Sequence, residues 1–127
     1  MHAPLVALVF FALMGQPAPA GRVVALALPQ GLRAGETAWL EVKIGVIERG
    51  DEIEIQTTAG QPLGTISPFG IHAGQPAGTY TVPVPAEAIS NNHLSLRLLI
   101  DEPGHAQRGP TMKEVSRVRL KIMPAAK

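Results

Sequence analysis

Apolar and polar residues alternate with period two through most of this chain after residue 20. A chain patterned that way buries one side only as extended strands. Ala38, Leu40, Val42 and Ile44 are apolar, and Thr37, Glu41 and Lys43 between them are polar. Ile53 and Ile55 alternate with Glu52, Glu54 and Gln56. The same rhythm carries Tyr80, Val82 and Val84, then Leu94, Leu96, Leu98 and Ile100, and finally Val118, Leu120 and Ile122 between Arg117, Arg119 and Lys121. Arg22 to Leu28 is more uniformly apolar, and Leu63 to Ile66 is a short candidate. No stretch carries an amphipathic helix, although Pro85 to Ile89 suits one helical turn between strands.

Turn signals fall between these segments: Pro29-Gln30-Gly31, Arg49-Gly50-Asp51, Ala59-Gly60, Gly74-Gln75-Pro76, Ser90-Asn91-Asn92 and Pro103-Gly104. The 13 glycines and 12 prolines are single punctuation marks, not a low-complexity tract. About seven strands at this spacing predict an all-β, antiparallel two-sheet sandwich, immunoglobulin-like or fibronectin-III-like in architecture. The cysteine pair of antibody domains is missing. Pro83 cannot donate to a ladder and predicts an edge strand. Trp39 has the wrong parity for the Leu40 face, which sends it under a loop or to the outer surface.

Ahead of the alternating region lies a different kind of segment. Leu5 to Met14 is unbrokenly apolar, Gln16-Pro17 ends the run, and Ala18-Pro19-Ala20 is a small-x-small cleavage site. The run is too short to span a bilayer as a helix. It reads as a signal peptide over residues 1–20, although its only basic groups are the α-amino group and His2. The rest, 21–127, is one domain by length. The expected location is outside the cytoplasm, periplasmic or secreted, in a bacterium, with no stable membrane span after cleavage. The chain has no cysteine, so neither a disulfide nor a thiolate metal site stabilises it, and its core must suffice.

Charge is nearly balanced at a formal +1, but unevenly spread. Residues 36–54 are rich in acids and residues 103–127 in bases, segments that pair readily in a compact domain. Arg117, Arg119 and Lys121 share one face of the last strand, about 7 Å apart. Arg97 joins them if the preceding strand is the neighbour of the last. Such a stripe fits an anionic glycan, an acidic protein or a phospholipid surface, and equally serves as a solvated face that discourages edge pairing. No aromatic residue interleaves with it, which argues against nucleic acid.

Phe69 and Ile71 place apolar side chains in the long loop 67–78. They either cap the core or meet a partner. His72, His93 and His105, with Met112, Met123 and Asp101, are of the types that bind copper or zinc, but no HxH or HxxxH spacing supports a local site. Asp51-Glu52 and Asp101-Glu102 lack the pattern of a calcium loop. Arg49-Gly50-Asp51 matches an adhesive tripeptide and is also a good hairpin turn. No serine lies in G-x-S-x-G or S-x-x-K, and no phosphate loop is present. The expectation is therefore an exported, non-catalytic binding or accessory module without a cofactor. It would contact a protein or envelope partner through loop 67–78 and the basic last strand, at Phe69, Ile71, Arg97, Arg117, Arg119 and Lys121. A metal or ligand carrier built on His72, His93 and His105 is the alternative. A small glycan-binding domain is another, and it requires Trp39 on the outer face beside polar neighbours.

Overall fold

The computed structural model describes residues 21–68, 70 and 74–124. The proposed signal peptide, Phe69, Ile71 and His72 lie outside them. Seven strands form: β1 (Arg22–Ala27), β2 (Thr37–Ile44), β3 (Glu52–Thr57), β4 (Pro62–Ile66), β5 (Gly78–Val84), β6 (His93–Asp101) and β7 (Val115–Met123). They make two antiparallel sheets, a four-stranded one in the order β1-β6-β3-β4 and a three-stranded one in the order β5-β2-β7.

Alternation dictates which side of each strand is buried. Leu40, Val42 and Ile44 of β2 meet Ile53 and Ile55 of β3, Val82 and Val84 of β5, and Leu94, Leu96, Leu98 and Ile100 of β6 in one core. Leu94, Leu96, Leu98 and Ile100 are fully buried. The predicted helical turn is a 3-10 turn at Ala86–Ala88, and it carries the chain from β5 to β6, one sheet to the other. Pro83 sits on edge strand β5, which pairs only with β2. Asn91 and Asn92 take left-handed backbone angles, φ 52° and 61°. A two-residue type I′ turn needs that at both central positions, and Asn tolerates it. Two backbone bonds of 2.9 Å between Ser90 and His93 close that turn.

Strand order is where the structure goes beyond the pattern. β2 pairs with β5, and β3 with β6, as the second and fifth, and third and sixth, strands do in an immunoglobulin constant-type sandwich. In that arrangement the first strand lies beside the second and the last beside the sixth. Here the terminal strands occupy the opposite places: β1 flanks β6 and β7 flanks β2.

Both open sides of the sandwich are tied. On one, Gly64 of β4 lies so near Val82 of β5 that an added Cβ would fall 2.9 Å from its Cγ1. On the other, the Arg22 guanidinium at the start of β1 donates to the carbonyl oxygens of Val115 (2.9 Å) and Thr111 (3.3 Å). The end of β2 docks on the turn before β7. There the Gly45 N–H donates to Glu114 O at 2.8 Å, and a Cβ at Gly45 would collide with the Lys113 carbonyl oxygen.

That turn is held by charge. Arg108 grips the Glu114 carboxylate with both terminal nitrogens at 2.8 Å and bonds Glu102 through Nε at 3.0 Å. Thr111 and Glu114 also bond reciprocally, backbone N–H to side chain, the T-x-x-E exchange familiar from helix starts. The Arg108 hydrogen bonds above all, helped by the Thr111 N–H, hold the Glu114 carboxyl down to about 2, from an ordinary 4.5. A depressed carboxylate stabilises the fold fully above its unfolded value, and that contribution disappears as pH falls through the folded value. Denaturant midpoints of the wild type and Glu114→Gln should therefore differ above pH 4.5 and converge as pH falls toward 2. A gap that stays constant across that window would refute the assignment.

Candidate functional site

The pairing of β7 with β2 assembles a surface that neither strand announces alone. On the solvent side of the three-stranded sheet, cross-strand register lines side chains up in rows. Trp39 stands between Pro83 of β5 and Lys121 of β7. Glu41 stands between Thr81 and Arg119, and Lys43 between Thr79 and Arg117. Rows repeat about every 7 Å along the strands and columns about every 5 Å across them.

Among the described residues, four cations and one carboxylate make up the charges of these rows. Arg119 bonds Glu41 Oε1 through Nη2 at 2.7 Å and Nε at 3.2 Å, and Lys121 Nζ reaches Oε2 at 3.4 Å. These bonds, that from Arg119 foremost, hold the Glu41 carboxyl below its ordinary range. The Glu41 side chain is only 20% exposed, against 53% for Arg119 and 51% for Lys121. The acid thus lies beneath the cations, and solvent meets positive charge.

The third row has no such relief. Lys43 and Arg117 are Cα partners on adjacent strands, and both are exposed. Among the described residues neither forms an ion pair. Like charges placed directly opposite across a ladder repel and destabilise it. A bulge beside them, with Ser116 as the extra residue, bends β7 at this corner.

Of the residues singled out from sequence, Arg117, Arg119 and Lys121 do share one outward face. Arg97 does not join them. β6 belongs to the other sheet, so Arg97 lies in register with Val23 and Gln56 on the far side of the sandwich. The aliphatic stem of Arg97 packs close to the Gly21 backbone. The expectation failed because it assumed that consecutive strands are neighbours. Trp39 is on the outer surface, the second of the two places its parity allowed, half-buried with its indole N–H donated to Thr37 Oγ1 at 3.1 Å. Its neighbours are a proline, a lysine and threonine hydroxyls. Trp39, Glu41 and Lys43 were not assigned to this face from sequence, although their i, i+2, i+4 spacing put them on one side of β2.

Other sites lose their footing. His93 begins β6 and His105 follows its far end, which separates them by roughly the strand's length, about 27 Å. No group of three or more metal-ligating side chains occurs among the described residues. Asp51 is only 3% exposed, and its carboxylate accepts the Glu48 N–H at 3.0 Å. Burial raises its pKa. A carboxylate so placed cannot be offered to a receptor, and the Arg49-Gly50-Asp51 tripeptide is a turn. The depression of about 510 Å³ beside it is lined partly by Glu52 and Ser67, which bond each other at 2.6 Å. Those two polar groups are thus already engaged with each other. No helix among the described residues is long and apolar enough to cross a membrane.

No protein-family model, curated protein or solved structure matches this chain.

Proposed function

We propose that the protein is an exported, non-catalytic β-sandwich of immunoglobulin-like class that acts as a binding or accessory module in the bacterial envelope. Its main contact surface is the outer face of the β5-β2-β7 sheet, with the basic side chains of β7 forming a column along one edge of it. Loop 67–78, with Phe69 and Ile71, is a second contact element. The partner is a protein or another envelope component.

One observation carries this reading. Lys43 and Arg117 oppose each other with no acid between them, an arrangement that costs stability in the free protein. An anionic partner turns that cost into attraction, and charge complementarity of this kind gives specificity and fast association. Export is supported by the segment 1–20, with its apolar run and Ala18-Pro19-Ala20. The carrier alternative is disfavoured by the separation of His93 from His105 along β6. The glycan alternative is favoured by Trp39, which lies on the outer face beside polar groups.

The test is made with the full chain expressed in a bacterium. The wild type should be processed near Ala20 and recovered with the envelope fraction. A Lys43→Glu/Arg117→Glu variant should fold with an unchanged thermal midpoint but pass into the soluble exported fraction. Identical fractionation of both, or a wild type that keeps Met1 inside the cell, would end the proposal.

A further inference from the structure

We propose that the outer face of the β5-β2-β7 sheet is a binding site for an anionic polysaccharide, its acid groups carboxylate or sulfate. This rests on the reading that this face is the contact surface, and it goes further by naming the ligand's chemistry.

The shape of the site comes first. Three strands present an open plate, about 14 Å along the strands and 10 Å across them. A plate cannot enclose a small molecule, but it can lie along an extended polymer. Chemistry then narrows the polymer. Lys43 and Arg117 form an uncompensated cationic corner, which matches acid groups. Arg119 and Lys121 share a single, more deeply set carboxylate and keep half of their side-chain surface in solvent, so the positive column continues along β7. Trp39 lies two rows from the Lys43 corner, in register with Lys121. Its indole N–H is already bonded to Thr37. What remains for a ligand is the ring's apolar surface, suited to the C–H face of a sugar ring. Thr79 and Thr81 are exposed on the same side and offer hydroxyls to sugar hydroxyls.

Cation, aromatic plane and hydroxyls on one open face thus match acid group, ring face and hydroxyl of an acidic sugar chain. A single-stranded nucleic acid would use several aromatic platforms, and this face has one. A bilayer surface would use apolar anchors beside the bases. The large apolar groups on this side are Trp39, which is only half-buried and flanked by polar groups, and Met123 at the edge.

Trp39 is the chain's one tryptophan, so its fluorescence reports on this site alone. The probes are polygalacturonate, dextran sulfate, neutral dextran and vesicles containing an anionic phospholipid, titrated against the full-length exported protein. At least one of the two acidic polysaccharides should bind, shift the Trp39 emission and weaken as salt rises, because screening shortens the reach of exposed charges. Neutral dextran should not bind. Trp39→Ala and Lys43→Glu/Arg117→Glu should each lower affinity roughly tenfold or more, as truncation of central aromatic and basic contacts does. The second variant changes only exposed side chains, so it remains informative if Trp39→Ala unfolds.

Failure of both acidic polysaccharides overturns this proposal, as does binding that leaves Trp39 emission unchanged. If vesicles bind instead, and lose that binding in the Lys43→Glu/Arg117→Glu variant, the polysaccharide is wrong and the contact face stands. If no anionic probe responds to that variant and envelope association is also unaffected by it, both are wrong.

Discussion

Leu96→Ala should cost about 2–5 kcal/mol of folding stability. Leu96 is fully buried in β6, a strand flanked on both sides by β1 and β3. It sits in the row Leu94, Leu96, Leu98, Ile100, which shares the core with Leu40, Val42 and Ile44 of the opposite sheet. Truncation there removes buried methyl groups and leaves a cavity that two hydrogen-bonded neighbours prevent from collapsing. The chain has no cysteine to compensate, and a domain of this size is stable by only about 5–15 kcal/mol. The loss would therefore be a large share of the total. Arg119→Ala, on the solvent side of β7, should leave the urea midpoint close to that of the wild type. A Leu96→Ala loss below about 0.5 kcal/mol, the size of an ordinary surface change, would mean that the buried and exposed faces of β6 are interchanged.

Much of this architecture is legible in the order of residues. Period-two alternation marks β2, β3, β5, β6 and β7 closely, because in a sheet with one wetted face each inward position must be apolar. The 3-10 turn, the Asn91-Asn92 turn and the edge position of Pro83 follow from local chemistry, and each is found. Strand partners are a different matter. Alternation says which side of a strand is wet and nothing about what lies next to it. Hence Arg117, Arg119 and Lys121 could be placed on one face, while Arg97 was placed with them wrongly. The same gap hid Glu41, whose carboxylate moderates the stripe, and Lys43, which sharpens it. Trp39 left two places open until the β2–β7 register set it beside Lys121. Asp51 shows the limit of reading polarity alone: a charged residue in a turn would be expected in water, yet it is buried to accept the Glu48 N–H.

Pairing of the last strand with β2 is thus the claim from which the candidate site follows, and a cross-strand disulfide tests it directly. Lys43 and Arg117 are Cα partners, and directly opposed residues of an antiparallel pair lie about 4.5–5.5 Å apart. That is within the span a disulfide bridges. The natural chain has no cysteine, so a Lys43→Cys/Arg117→Cys variant can form only this bond within one molecule. Mild oxidation should give a monomer lacking free thiols and more stable than its reduced form by about 2–4 kcal/mol. An Arg97→Cys/Arg117→Cys variant should stay reduced or link two molecules, because its thiols project from opposite outer faces of the sandwich. Closure of the 97–117 bond, with the 43–117 thiols remaining free, would contradict the strand order and dissolve the cationic face with it.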